Sequence, residues 1–264
     1  MSSRRVLLVE DDPSLQRFVG MVLEDLAVEL RVCGDVGSAL QALAEQPVDL
    51  LITDLMLPDR SGQDLLAELQ ARPALRGQAH LVAFSAGLQP QVRSQLQALG
   101  VERMLFKPCS VNELEACVEE ALGPAPLTLD LPAAPLARND LDTRPDPSAP
   151  PSPDLEAIQR NFGGDMALYR GFRAASLQQF SMDRAEGERA CAARELATVR
   201  RLAHSLKSVL LILGLDASSD LAGRLERQLE AALAAGQPWP AGAECLWAEL
   251  SGQLQALSAD APAP

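Results

Sequence analysis

The chain has 264 residues, 47% of them hydrophobic, enough for one or two folded domains and too many for wholesale disorder. A net charge of −13 argues against nucleic acid as a direct partner. No apolar run reaches the ~18 residues of a membrane span and no signal-peptide pattern opens the chain. Five Cys without CxxC spacing read as reduced thiols, so a cytoplasmic protein with no membrane partner is expected.

Residues 1–122 alternate between two patterns. Short β-rich runs at Arg5–Val9, Val28–Cys33, Val48–Thr53, His80–Ser85 and Val101–Phe106 are separated by helical periodicity at Ser14–Leu26, Gly37–Glu45, Gly62–Gln70, Pro90–Leu99 and Val111–Leu122. That alternation predicts a parallel sheet with helices on both faces, and runs such as LLV and LLI suit strands buried on both sides. Residues 123–153 hold nine Pro and no apolar period, which predicts a flexible to semi-extended linker with a root-mean-square span of about 30 Å. Residues 154–264 carry no strand signal. Helices are expected at about 166–190, 195–213, 216–235 and 241–258, the first capped by Asp165 and the third by Asp216, giving an antiparallel bundle. The three segments carry net charges of −8, −2 and −3, so none is a basic surface.

In an open parallel sheet, ligands bind beyond the carboxyl ends of the strands. There the sequence puts Glu10-Asp11-Asp12, Thr53-Asp54, Ser85-Ala86-Gly87 and Lys107-Pro108. Clustered carboxylates repel and call for a cation, and oxygen ligands with few protein contacts suit Mg²⁺, which favours phosphate oxygens. Asp54 could then attack phosphorus, while Ser85 and Lys107 hold phosphoryl oxygens and Ala86 leaves room. A single acid at a strand end is ordinarily a solvated turn or a helix cap, and Asp12 before Pro13-Ser14 is read mainly as a cap. The combination is what carries the reading. Of 23 basic residues only two are Lys, Lys107 and Lys207, and a Lys is a compact point charge that Arg replaces poorly.

Val6-Leu-Leu-Val-Glu-Asp-Asp, the stretch from Asp54 to Gly62, Phe84-Ser-Ala and Lys107-Pro108 resemble the receiver domain of bacterial two-component response regulators. The resemblance implies a flavodoxin-like fold with five parallel strands in order 2-1-3-4-5. It makes Asp54 the phosphoacceptor, assisted by Ser85 and Lys107. Glu10 and Asp11 become the acidic pair, and Asp11, Asp54 and the backbone carbonyl of Met56 become Mg²⁺ ligands. Met104 stands where the family carries Tyr or Phe, and Cys109 where Phe often follows Lys-Pro, which bears on how Ser85 couples to a rotating aromatic.

On the helix 195–213, Val199, Leu202, Leu206, Val209, Leu210 and Leu213 share one face. His204 falls on the opposite, exposed face among Arg200, Arg201, Lys207 and Ser208, with Leu211 nearby as part of an apolar docking patch. A neutral imidazole nitrogen is nucleophilic, and neighbouring cations would keep it neutral and stabilise a bound phosphoryl group. Taken alone, such a His is more often a solvated side chain. His80, at the start of a strand, is read as structural. Ala203-His-Ser-Leu-Lys-Ser-Val-Leu-Leu-Ile-Leu-Gly214, with Phe162-Gly-Gly-Asp165 and Leu225-Glu226, resembles the histidine phosphotransfer (HPt) motif. This implies a four-helix bundle in which His204 is phosphorylated and Lys207 assists. Ser208 replaces the usual Gly and bears on partner approach.

The two resemblances imply a phosphorelay intermediate with a receiver at 1–122, a Pro-rich linker at 123–153, and an HPt domain at 154–264 ending in a short disordered tail. It would be a phosphoryl carrier rather than a turnover enzyme, with Mg²⁺-dependent self-phosphotransfer at Asp54. The expected partners are a sensor histidine kinase and a downstream receiver domain or response regulator. The alternative is a non-catalytic adaptor or phosphate sink in which receiver phosphorylation gates docking to the bundle.

Overall fold

The computed structural model describes residues 4–85, 90–123 and 153–259. Ala86 and Gly87, nearly all of the Pro-rich segment and the C-terminal tail lie outside them.

Five strands, β1 (Arg4–Val9), β2 (Val28–Cys33), β3 (Leu50–Asp54), β4 (His80–Ser85) and β5 (Arg103–Phe106), pair in parallel in the order β2-β1-β3-β4-β5. This is the flavodoxin-like topology. Helices α1 (Pro13–Leu23), α2 (Val36–Glu45), α3 (Gly62–Ala71), the short α4 (Pro73–Arg76), α5 (Pro90–Ala98) and α6 (Val111–Leu122) form the crossovers. Alternation within the strands sorts their side chains onto two faces. Val6, Leu8, Leu50, Ile52, Val82 and Phe84 pack with α1 and α6; Leu7, Val9, Leu51, Leu81 and Ala83 pack with α2 and α3. The β1–β3 register sets Val9 beside Thr53, and the β4–β5 register sets Ser85 beside Phe106. The register thus brings the four chemistry-bearing strand ends to one rim. Asp12 caps α1 by accepting from the Leu15 amide at 2.8 Å, as the sequence indicated.

After α7 (Pro153–Asn161) come α8 (Met166–Ala193), α9 (Leu196–Ile212), α10 (Asp216–Ala234) and α11 (Ala243–Ala259). Asp165 caps α8 through the Leu168 amide at 2.9 Å. Asp216 does not cap α10: it is the first helical residue and Leu215 holds the cap position without a side-chain bond. The bundle core includes Phe172, Phe180, Leu202, Leu206, Leu225 and Leu250. Where α8 and α11 touch, Gly187 lies under Trp247; an added Cβ would sit 1.8 Å from the indole ring. Among the described residues, no helix is long and apolar enough to cross a membrane.

The two halves are docked. Phe18 of α1 is fully buried and meets Phe162 and Phe172 edge-on, with ring centroids 6.0 and 5.4 Å apart. One apolar cluster therefore runs from the α1/α6 face of the sheet into the bundle.

Candidate functional site

Glu10, Asp11 and Asp54 come together at the ends of β1 and β3, with one carboxylate oxygen from each within 4.8 Å of the other two. Lys107, in the Lys107–Pro108 segment after β5, reaches into the same pocket. Its Nζ donates to Glu10 Oε2 at 2.5 Å and to Asp54 Oδ2 at 2.7 Å. The Met56 amide donates to Asp54 Oδ1 at 3.0 Å, which orients the carboxylate. The loop after Asp54 folds back tightly. The Gly62 amide donates to the Leu55 carbonyl at 3.1 Å, and a Cβ on Gly62 would fall 2.0 Å from the Asp54 carbonyl oxygen. Only Gly fits there.

The pocket is short of positive charge. Burial pushes Glu10 up from its ordinary value; Lys107 pulls it down and the Asp54 charge pushes it up. Burial likewise pushes Asp11 up, against the pull of Arg201. Burial disfavours the Lys107 ammonium, but Asp54 and Glu10 outweigh it and hold Lys107 above its ordinary value. Three hard carboxylates facing one lysine are a donor set that fits Mg²⁺.

His204 is not exposed, contrary to the reading from periodicity. It is 7% exposed, because α10, which carries Glu226, packs over the face of α9 that its own leucines leave open. Its Nδ1 meets Glu226 Oε1 at 2.5 Å, and Lys207 Nζ donates to Glu226 Oε2 at 2.5 Å. The immediate partner of the ring is thus a carboxylate and not a cation. Burial opposes the Glu226 charge, yet the His204 bond, the His204 charge and Lys207 hold its carboxyl down at about 2. A bond from Nδ1–H to a carboxylate leaves the lone pair on Nε2. Nε2 is buried without a hydrogen-bond partner, and His204 lines a cleft of about 600 Å³ together with Asp54, Ser85, Arg200, Lys207 and Glu226.

Ser208 turns its hydroxyl toward the His204 carbonyl of its own helix at 3.4 Å. Leu211 is half-buried, beside Asn161, whose side-chain amide donates to its carbonyl at 3.3 Å. His80 pairs with Glu102, away from this cleft.

Two contacts escaped the sequence. The sequence marks Glu226 only as part of a motif, not as the partner of His204 and Lys207. Helical spacing puts Arg201 near His204, but its guanidinium bridges Asp11 Oδ2 at 2.9 Å and Glu186 Oε1 at 2.7 Å. The two residues of the first pair are 190 positions apart, and nothing local signals such a contact.

Residues 6–119 match the family model of the response regulator receiver domain, and residues 172–260 match that of the Hpt domain. The chain is 32% identical over 124 residues to the response regulator protein PilR of Pseudomonas aeruginosa, covering 46% of this chain and 27% of that one. It is 34% identical over 120 residues to the sensor histidine kinase TmoS of Ectopseudomonas mendocina, covering 45% and 12%. It is 26% identical over 266 residues to the virulence sensor protein BvgS of Bordetella pertussis, covering 99% and 20%. The chain thus spans about a quarter or less of the length of these curated relatives. Both modules belong to phosphotransfer families and neither is a turnover enzyme. The chain joins a response regulator receiver domain to an Hpt domain.

Proposed function

We propose that the chain is a two-component phosphorelay intermediate that accepts a phosphoryl group on Asp54 and carries one on His204. Its receiver would span 1–122 and its HPt domain 154–264, joined by a linker at 123–153. The observation that carries the reading is the shared cleft: Asp54 and His204, whose Nε2 has no hydrogen-bond partner, both line it.

The acceptor step is displacement in line at phosphorus. The Asp54 carboxylate forms the P–O bond as the donor's P–N bond breaks, and the donor imidazole recovers a proton. Lys107, already on Asp54, pairs with the developing charge, and Ser85 donates to a phosphoryl oxygen. Glu10, Asp11, Asp54 and the Met56 carbonyl would hold Mg²⁺, which offsets charge on the phosphoryl oxygens when bound. In the second step Nε2 of His204 forms a P–N bond while the P–O bond to Asp54 breaks and the carboxylate returns. Glu226 keeps the proton on Nδ1 and stabilises the positive ring, and Lys207 faces the transferred group.

The expected partners are a sensor histidine kinase as donor and a downstream receiver as acceptor. A cytoplasmic setting is supported by five free cysteines, four of them buried.

Radiolabel transfer from a phosphorylated kinase to the wild-type chain, Asp54→Ala and His204→Ala tests the assignment. Label is expected on both residues of the wild type and on Asp54 alone in His204→Ala. Label on neither residue would refute the relay. Label that stays on Asp54 of the wild type would favour the adaptor.

A further inference from the structure

Arg201 belongs to the bundle but spends its charge on the receiver. One guanidinium nitrogen donates to Asp11 Oδ2 at 2.9 Å and the other to Glu186 Oε1 on α8 at 2.7 Å. Asp11 is one of the three acids of the receiver pocket, and its side chain is only 6% exposed. Glu186 anchors the guanidinium from behind, so the fork is pre-set toward Asp11. The apolar seam is built separately, by Phe18 against Phe162 and Phe172 and by Met21 against Gly171, where an added Cβ would lie 2.8 Å from the methionine methyl. Packing thus brings the halves together, and Arg201 adds a charge at one chosen point.

That point is where a divalent cation would bind. With the domains apart, three carboxylates face one ammonium, Lys107; with the domains docked, Arg201 supplies a second positive charge and occupies one oxygen of Asp11. We propose that Arg201 is a cross-domain positioning residue that competes with a divalent cation for Asp11, so that the bundle sets the cation affinity of the receiver pocket. Docking and cation loading then oppose each other. By linkage, whatever weakens the Arg201–Asp11 pair tightens the cation site, and cation binding loosens the docked state by the same factor. The proposal rests on reading Glu10, Asp11 and Asp54 as the cation site.

Mn²⁺ titration of the full-length protein, read as free Mn²⁺ by electron paramagnetic resonance at low ionic strength, tests it. Arg201→Met is expected to bind Mn²⁺ about fivefold more tightly than the wild type, the effect of removing one partly exposed cation. Arg201→Lys, which keeps the charge, should stay within about twofold. Gly171→Glu puts a charge at the Met21 contact, and if small-angle scattering shows the seam opened, binding should tighten to a similar degree. Equal or weaker Mn²⁺ binding by Arg201→Met, or an opened Gly171→Glu protein with unchanged affinity, overturns the competition. A small phosphodonor such as acetyl phosphate separates this from the relay. Failure to label Asp54 in any variant would sink the phosphoacceptor reading, while the Mn²⁺ series would still decide the role of Arg201.

Discussion

The two lysines of this chain sit in two buried acid clusters that are built oppositely. In the receiver pocket Lys107 is shared by Glu10 and Asp54 with Asp11 close by, and negative charge exceeds positive. In the bundle one acid, Glu226, serves two donors, His204 and Lys207. Burial consequently wins at Glu10, whose carboxyl is pushed up, and loses at Glu226, which is held at about 2. The same residue types thus make a pocket that asks for a cation and a platform that holds an imidazole in one tautomer. Stoichiometry, not composition, separates the two.

Removing Lys107 breaks this comparison most sharply. Lys107→Met leaves Glu10 and Asp54 buried without a counter-charge, and chemical denaturation near neutral pH without divalent cations should show a loss of about 3–5 kcal/mol. Glu226→Ala strips the acceptor from both His204 and Lys207 and should cost about 2 kcal/mol in the same assay. Its transfer to His204 should also slow, because Nδ1–H is no longer fixed. The pH profile carries the sign. The Glu226 carboxyl is lower in the folded protein than its ordinary 4.5, so its contribution is present above that value and fades as pH falls toward about 2. Glu226→Gln should flatten that acid limb.

A smaller effect is expected at the seam. Burial raises Asp183 on α8 to about 7; Gln179 lowers it, Asp12 and Glu186 raise it, and Arg201 lowers it. Because the folded value lies above the ordinary 3.8, stability from this group is full below that value and is lost as pH rises toward about 7. Asp183→Asn should therefore raise the thermal midpoint more at about pH 8 than at about pH 5. The smallest effect belongs to Lys207→Met. Its side chain is 26% exposed, so less than about 1 kcal/mol is expected. A Lys207→Met loss equal to that of Lys107→Met would erase the contrast.

The sheet was legible because apolar runs and helical periods alternate cleanly, and its topology then carries Glu10, Asp54, Ser85 and Lys107 to one rim. The strands moved only at their ends: β3 begins at Leu50 and not Val48, and β5 at Arg103 and not Val101. The surroundings of His204 were not legible. A helical wheel finds the face turned from its own leucines, but not that α10 covers that face. The pairs Glu226–His204 and Arg201–Asp11 join different elements, and no local spacing encodes them. Helix α4 is a single turn, too short to show a period, and α7 starts at Pro153, directly behind the prolines that mark the linker.

The central claim is that Asp54 and His204 exchange a phosphoryl group within one chain, across the cleft they share. Its most direct test is the single-turnover appearance of phosphohistidine on His204 after Asp54 has been loaded, at protein concentrations about tenfold apart. The account predicts the same rate constant at both concentrations. A rate that scales with concentration, or no phosphohistidine at all, would contradict it.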